Sequence, residues 1–114
     1  MITVMPIRGE DEKLCREKND LPDDVVIFHA VDGDREWYPT LRTNGESVEV
    51  LSLTGDPEMD ELFIRGAASY GEYRFAETII MLADCPERLI KLFGFKENED
   101  GRLSLPVDKI IHYH

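Results

Sequence analysis

Four carboxylates stand within six residues of this sequence, directly after a Thr-Gly pair. They are Asp56, Glu58, Asp60 and Glu61, and Pro57 lies among them. This order is typical of a helix start, because aspartate caps free N–H groups, proline suits the first turn and carboxylates favour the positive end of the helix dipole. The segment therefore predicts the first turn of a helix that carries a dense negative charge.

Glu49 and His29 are candidate proton acceptors on predicted strands. Glu49 stands between Val48 and Val50, and a carboxylate there becomes an effective general base only if burial raises its pKa. The alternation favours the simpler interpretation of an exposed, solvated strand residue. His29 lies in an apolar stretch, where it is either a base that titrates near neutral pH or a half-buried, hydrogen-bonded side chain.

Aromatic residues supply further candidates for binding or acid catalysis. Trp37 and Tyr38 are neighbours on a strand, so their side chains point to opposite faces, and the one that faces away from the core is a candidate binding surface. Tyr70 and Tyr73 are candidate proton donors. Both lie at helical spacing, however, which favours packing residues.

The cysteines and terminal histidines do not predict a metal site. Cys15 and Cys85 lack a CxxC pattern or a nearby Cys/His cluster, so we interpret them as two reduced thiols. His112 and His114 resemble a chelating tail but have no third ligand near them in sequence, which favours an ordinary chain end. No metal cofactor is expected.

The charge balance narrows the range of partners. The 114 residues include 24 Asp+Glu and 13 Lys+Arg, a formal net charge of −11. This charge repels nucleic-acid phosphates and anionic membrane surfaces, and it favours a cationic amine or a basic peptide as substrate. No stretch approaches the roughly 20 apolar residues of a membrane span, and no signal peptide is recognisable, so a single cytoplasmic domain is expected over residues 1–114.

The elements that must position these residues follow from hydrophobic periodicity. Residues 2–7 predict a short strand and residues 10–18 a marginal helix with a thin apolar face. Three strands at 25–31, 37–41 and 47–53, separated by Asp32-Gly33 and Asn44-Gly45 turns, predict an antiparallel meander. Pro39 cannot donate a ladder hydrogen bond, so we expect it at an edge or a bulge.

The second half of the chain changes to alternating helices and strands. The spacing predicts a long helix over 57–73, a strand over 78–82 that is buried on both faces and therefore central or parallel, and a short helix over 86–93 that ends at Gly94. A closing hairpin around Asp100-Gly101 uses 95–97 and 102–107, and 108–114 stays unassigned. The fold class is α+β with a mixed sheet, in which the long helix makes a right-handed crossover.

The order of these elements over residues 25–107 resembles the GNAT superfamily of acyl-CoA-dependent N-acetyltransferases. The most specific likeness is the ending Leu92-Phe93-Gly94-Phe95, since a short helix of that family ends in a similar turn before the last hairpin. The resemblance implies a GNAT-like domain with acetyl-CoA as its cofactor. It places the central strand of that family at 48–53 and the helix that faces the cofactor pyrophosphate at 57–73.

The resemblance also implies roles for single residues. The segment Ser52, Leu53, Thr54 and Gly55 would contact the cofactor, the backbone of Leu53 would stabilise the oxyanion, and Glu49 would accept the proton of the amine. The glycine-rich loop of Arg/Gln-x-x-Gly-x-Gly/Ala type is missing between the strand and the helix. Two functions therefore stay open: a divergent N-acetyltransferase, and a non-catalytic domain that binds a protein partner or pairs with itself as a homodimer.

Overall fold

A mixed sheet carries the fold, and helices connect or cover its strands over residues 2–111, the part of the chain that this computed structural model describes. The strands are β1 (Ile2–Pro6), β2 (Val25–Asp32), β3 (Arg35–Trp37), β4 (Thr40–Asn44), β5 (Ser47–Ser52), β6 (Thr78–Met81), β7 (Lys96–Glu97) and β8 (Leu103–Pro106). The helices are α1 (Gly9–Asn19), α2 (Pro57–Tyr73), α3 (Glu87–Phe93) and α4 (Val107–Ile111). The α+β class predicted from sequence is confirmed.

The eight described strands follow the order β1-β2-β4-β5-β6-β8-β7, with β3 also beside β2. The pairs of described strands are antiparallel except β5 with β6, which run parallel from Ser47↔Thr78 to Val50↔Met81. Parallel neighbours need a crossover connection, and α2 provides it. The predicted helix over 57–73 and the predicted parallel strand at Ile79 are thus both confirmed.

Pro39 divides the predicted strand 37–41 into β3 and β4. The N–H of Phe28 donates to the Pro39 carbonyl oxygen at 2.9 Å, but Pro39 has no N–H to return the second bond of that pair. Pro39 is buried and its backbone faces β2 inside the sheet, so the expectation of an edge position is wrong. A bulge is present nearby in β5, where the register shifts opposite Thr40 and Leu41.

The predicted short helix and closing hairpin are both present, and their ends differ from the predicted ones by one residue. Gly94 has a φ of 84° and ends α3 in the left-handed conformation, as expected. The second hairpin strand ends at Pro106, one residue before its predicted end, because α4 begins at Val107 and continues into the segment 108–114 for which the sequence predicts no element. His112 and His114 lie outside the described residues.

The core lies between the sheet and the inner face of α2, with α4 packed beside that helix. The Phe28 and Phe63 rings meet edge to face with their centroids 5.2 Å apart, which joins β2 to α2. In β6, Ile79 and Met81 are buried but Ile80 is only half-buried, so the expectation of burial on both faces is wrong. No residue of α1 is buried, in agreement with its thin apolar face.

Gly71 lets α2 approach β5 closely. A Cβ at this position would lie 2.3 Å from Val48 Cγ2 and 3.3 Å from the Ala76 Cβ. The other glycine of α2, Gly66, has room, since its nearest contact would be Phe28 Cε2 at 3.5 Å. The short distance between α2 and β5 therefore requires a glycine at position 71 but not at position 66.

We predict opposite effects of alanine at these two glycines. Gly71→Ala should lower the free energy of unfolding by about 1–3 kcal/mol because the core is overpacked. Gly66→Ala should raise it by about 0.5–1 kcal/mol, because alanine loses less backbone entropy in a helix. Urea denaturation of both variants measures the difference, and equal midpoints would contradict the close packing of Gly71 on Val48.

Candidate functional site

The loop between β5 and α2 folds around a carboxylate of its own chain. Asp60 Oδ1 accepts hydrogen bonds from the Thr54 N–H at 2.6 Å and the Thr54 hydroxyl at 2.7 Å, and Oδ2 accepts one from the Gly55 N–H at 3.1 Å. Consecutive backbone N–H groups that converge in this way make an anion-binding concavity. In this protein the anion is the side chain of Asp60.

The neighbouring N–H groups are also occupied. The Asp56 N–H donates to Thr54 Oγ1 at 3.0 Å, and Asp56 Oδ1 caps α2 by accepting from the Met59 N–H at 3.1 Å. Gly55 has a φ of 92°, which glycine adopts without strain and which turns the loop toward Asp60. Thr54, Gly55, Asp56 and Met59 therefore all have protein acceptors for their backbone N–H groups.

Asp60 is buried, with 1% of its surface exposed. Burying a carboxylate is costly unless hydrogen bonds compensate, and two N–H groups and one hydroxyl do so here. Sequence reasoning treated Asp60 as one of four charges at a helix end and missed this role. The available signal was helical phase, because Asp60, Phe63 and Ala67 lie on the same buried face of α2.

The other carboxylates of the cluster are not equivalent to Asp60. Asp56 Oδ2 accepts from Arg35 Nη2 at 2.6 Å. The Met59 N–H and then Arg35 lower the pKa of Asp56, since both stabilise its charged form. Glu61 lies 3.7 Å from Arg88, while Glu58 is exposed. The negative charge at the start of α2 is therefore partly paired.

Cys85 lies near this loop. Burial raises the pKa of its thiol, and the charge of Asp60 adds to the effect. The thiol is therefore protonated at neutral pH, and a protonated thiol is a poor nucleophile. Both cysteines are free, as the sequence predicts.

Glu49 is neither solvated nor alone. Its Oε1 accepts from Arg42 Nε at 2.6 Å across the β4–β5 pair, and 12% of its side chain is exposed. The same hydrogen bond raises the pKa of Arg42. The interpretation of Glu49 as an exposed strand residue is wrong, and the structure places it in an ion pair that the sequence does not indicate.

Ser52 is held by the neighbouring strand. Its hydroxyl accepts from the Thr40 N–H at 3.0 Å and shares a hydrogen bond with the Thr40 hydroxyl at 2.7 Å. Leu53, the next residue, is partly buried and packs against the core. The segment 52–55, whose predicted role is cofactor contact, therefore directs its polar groups at Ser52, Thr54 and Gly55 to other groups of the protein.

β5 and β6 stop pairing just before this loop. The last registered pair is Val50 with Met81, and the Val50 carbonyl oxygen then accepts from both the Leu82 N–H at 2.9 Å and the Ala83 N–H at 3.1 Å. β5 continues beyond this point to Ser52 without a partner on β6. The registered pairing of the two parallel strands therefore ends two residues before the end of β5, beside the Asp60 loop.

A second group of candidate residues meets under α1, away from the loop. His29 Nε2 lies 3.2 Å from Glu36 Oε1, and the His29 ring stacks on Tyr38 with centroids 5.1 Å apart. They line a cavity of about 480 Å³ together with Cys15, whose sulfur accepts from Asn19 Nδ2 at 3.6 Å. Partial burial, and then the charge of Glu36, raises the pKa of Tyr38.

The remaining aromatic candidates serve different purposes. Trp37 is half-buried beneath the Arg35 guanidinium at 4.6 Å, and Tyr38 is 44% exposed. Neither belongs to the core of the described residues, so the expectation that one of them faces the core is not confirmed. Tyr70 packs edge to face on Phe28. The packing interpretation is wrong for Tyr73, which is 85% exposed.

Among residues 2–111, no group of three or more His, Cys, Asp or Glu side chains is arranged to hold a metal ion. Within the same range, no helix has the length and apolar character needed to cross a membrane. Comparisons with protein-family models, with curated proteins and with solved structures find no match.

Proposed function

We propose that this chain is a GNAT-like domain that acts by binding through the free edge of its sheet rather than by acetyl transfer. The observation that carries the proposal is the buried Asp60 carboxylate on the Thr54 and Gly55 N–H groups. It lies where a GNAT relative would direct free donors toward the cofactor pyrophosphate.

Two features of the fold support the likeness to the GNAT superfamily. The predicted central strand, β5, runs parallel to β6 and is joined to it by α2. The short helix α3 ends at Gly94 before the β7–β8 hairpin, as the Leu92-Phe93-Gly94-Phe95 resemblance implies. Likeness of fold does not carry function, which is argued from the loop.

The Asp60 loop does not fit a pyrophosphate in the pose of that family. An incoming phosphate would have to replace Asp60 on the Thr54 and Gly55 N–H groups and leave a buried carboxylate without donors, at a cost of several kcal/mol. It would also approach Asp56 and Glu58, which carry the same sign of charge. Both effects favour a domain without bound acetyl-CoA.

The free edge of β1 is the surface that we assign to binding. β1 ends the strand order and pairs only with β2 among the described strands. None of its residues is charged, and Ile2 and Met5 are 36% and 58% exposed. Natural proteins protect sheet edges with charged or proline residues. β1 carries no charge and its one proline, Pro6, is its last residue, so the four residues 2–5 are open to pairing with another strand.

The occupant that we assign to this edge is β1 of a second copy, paired antiparallel. This arrangement joins two identical edges about a two-fold axis, as in most homodimers. Although the whole chain carries a charge of −11, the strand itself brings no like charges together. Two other described strands also have a single registered neighbour. β7 has two residues and is too short to form a comparable ladder, and β3 has three residues, of which Arg35 and Glu36 are charged.

A divergent N-acetyltransferase is the second candidate. The end of the β5–β6 pairing at Val50 favours it, because Ser52 and Leu53 then have no registered partner on β6. In this alternative the acidic surroundings of the loop attract a cationic amine, such as a polyamine or a basic peptide end. The Glu49–Arg42 ion pair counts against Glu49 as the proton acceptor, because Oε1 already accepts from a guanidinium.

Acetyl-CoA at millimolar concentration is predicted to leave the melting temperature of the protein unchanged. A ligand that binds the native state raises it by mass action, and here the required N–H donors are occupied. Differential scanning fluorimetry measures this, and a concentration-dependent increase would contradict the proposal.

The matched control is the double variant Glu58→Gln, Glu61→Gln, which removes two charges at the start of α2 and leaves Asp60 in place. We expect no increase in its melting temperature with acetyl-CoA either. An increase in this variant alone would mean that surface charge, and not the occupied loop, excludes the cofactor.

The acetyltransferase alternative has an assay of its own. Release of free CoA thiol from acetyl-CoA by the wild-type protein in the presence of spermidine would support it.

The edge is tested by Met5→Lys, which places a charge on β1. The wild-type chain is predicted to dimerise with rising concentration in sedimentation equilibrium, and Met5→Lys to weaken the association at least about tenfold. Leu92→Lys is the control, because Leu92 is a similarly exposed apolar residue on α3, at 49%. A wild type that stays monomeric, or equal losses in the two variants, would contradict the assignment of the edge.

A further inference from the structure

A cavity of about 610 Å³ lies between the second half of α2, the strands β1 and β2, and one side of α1. This volume is within the range of sites for small organic ligands. Its walls include Val4, Val26 and the rings of Phe28 and Tyr70. The cavity is separate from the Asp60 loop, because it meets α2 from Gly66 onward.

The polar lining of this cavity is basic. Three of its residues are arginines, Arg8, Arg16 and Arg74, although the whole chain has only 13 basic residues and a charge of −11. Glu12 is the one carboxylate among the described lining residues, and it is bonded to Arg16 at 3.1–3.2 Å. Positive charge is thus concentrated where the rest of the protein is acidic.

Two of the three arginines keep donors available for a ligand. Arg16 is committed, since its guanidinium donates to Glu12 and to the carbonyl oxygens of Pro22 and Val25. Arg74 makes one long hydrogen bond, from Nη1 to the Tyr70 carbonyl oxygen at 3.5 Å. Arg8 has no side-chain hydrogen bond or ion pair within residues 2–111 and does not cap α1.

Arg74 is also positioned by an aromatic ring. Its Cζ lies 3.6 Å from the centroid of the Tyr70 ring, and that ring packs edge to face on Phe28. Stacking fixes the plane of the guanidinium and leaves its edge free to bind both oxygens of a carboxylate or phosphate. A planar donor group therefore stands next to an apolar wall.

We infer that this cavity binds a small organic anion, with its carboxylate or phosphate held by Arg8 and Arg74 and its flat apolar body against Tyr70 and Val26. Each part of this ligand matches a feature of the lining: two guanidinium groups that together make one long hydrogen bond to the described protein, and aromatic and branched side chains beside them. The inference does not depend on the function proposed for the Asp60 loop or the β1 edge.

The test is an NMR titration of the full chain with four probes. Benzoate and phenyl phosphate carry an anionic group on an aromatic body, benzamide is a neutral analogue of benzoate, and inorganic phosphate lacks the body. We expect saturable shifts of the Gly66, Ser69 and Tyr70 amides with the first two probes. Benzamide and inorganic phosphate should bind at least about tenfold more weakly, because each lacks one of the two contacts.

Arginine variants identify the donors. Arg8→Gln and Arg74→Gln should each weaken benzoate binding about tenfold or more, since each removes a charge-assisted hydrogen bond. Arg102→Gln is the control, because Arg102 is exposed in the loop between β7 and β8 and does not line the cavity. All three positions are exposed, so the variants should keep the wild-type amide spectrum elsewhere.

Three results would overturn the inference. The first is the absence of saturable shifts at the cavity with both benzoate and phenyl phosphate. The second is an affinity for benzamide or for inorganic phosphate equal to that for benzoate. Equal binding of benzamide would show that the anionic group is not recognised, and equal binding of inorganic phosphate would show that the apolar body is not recognised. The third is an equal loss in Arg102→Gln, which would reduce the effect to overall charge.

Discussion

The hydrogen bonds of the Asp60 carboxylate to Thr54 and Gly55 connect the end of β5 to the first turn of α2. The carboxylate belongs to the helix and the donors belong to the loop, so the bond fixes the angle at which the chain leaves the sheet. A buried charge would be strongly destabilising without these donors. The loop and the charge therefore depend on each other.

The position of α2 on the sheet follows from this connection and from contacts at the other end of the helix. Asp60 and the Asp56 cap hold the first turn, and Gly71 allows the last turns to lie directly on Val48. Between these points Phe63 packs on Phe28 and fills the core. The helix then returns the chain to β6, which can pair with β5 only in the parallel direction.

Most elements could be predicted because their signals are local. Alternating β-branched residues, the Asp56-Pro57 helix start and the Gly94 helix end each act over a few residues. The identity of the carboxylate that turns inward was also available from helical phase, since Asp60 precedes Phe63 by three residues. The concentration of acidic residues around it pointed instead to a solvated or repulsive surface.

Other features depend on contacts that local patterns do not encode. The Glu49–Arg42 pair requires the register of β4 on β5, and that register shifts near Thr40 and Leu41. The cavity lined by Arg8, Arg16 and Arg74 forms only when α1 is in place. The sequence does not predict the position of α1, because no residue of that helix is buried. Arg16 of α1, Arg8 before that helix and Arg74 after α2 meet there only after the sheet and α2 are assembled.

Hydrogen exchange at the Thr54 and Gly55 amides, followed by NMR, tests the central claim most directly. If Asp60 accepts from both N–H groups, the two amides exchange as slowly as those of Val48 and Val50 in the middle of β5, and they are unaffected by millimolar acetyl-CoA. Exchange as fast as that of an exposed loop amide, or protection that appears only when acetyl-CoA is added, would contradict the claim that the carboxylate of Asp60 occupies this loop.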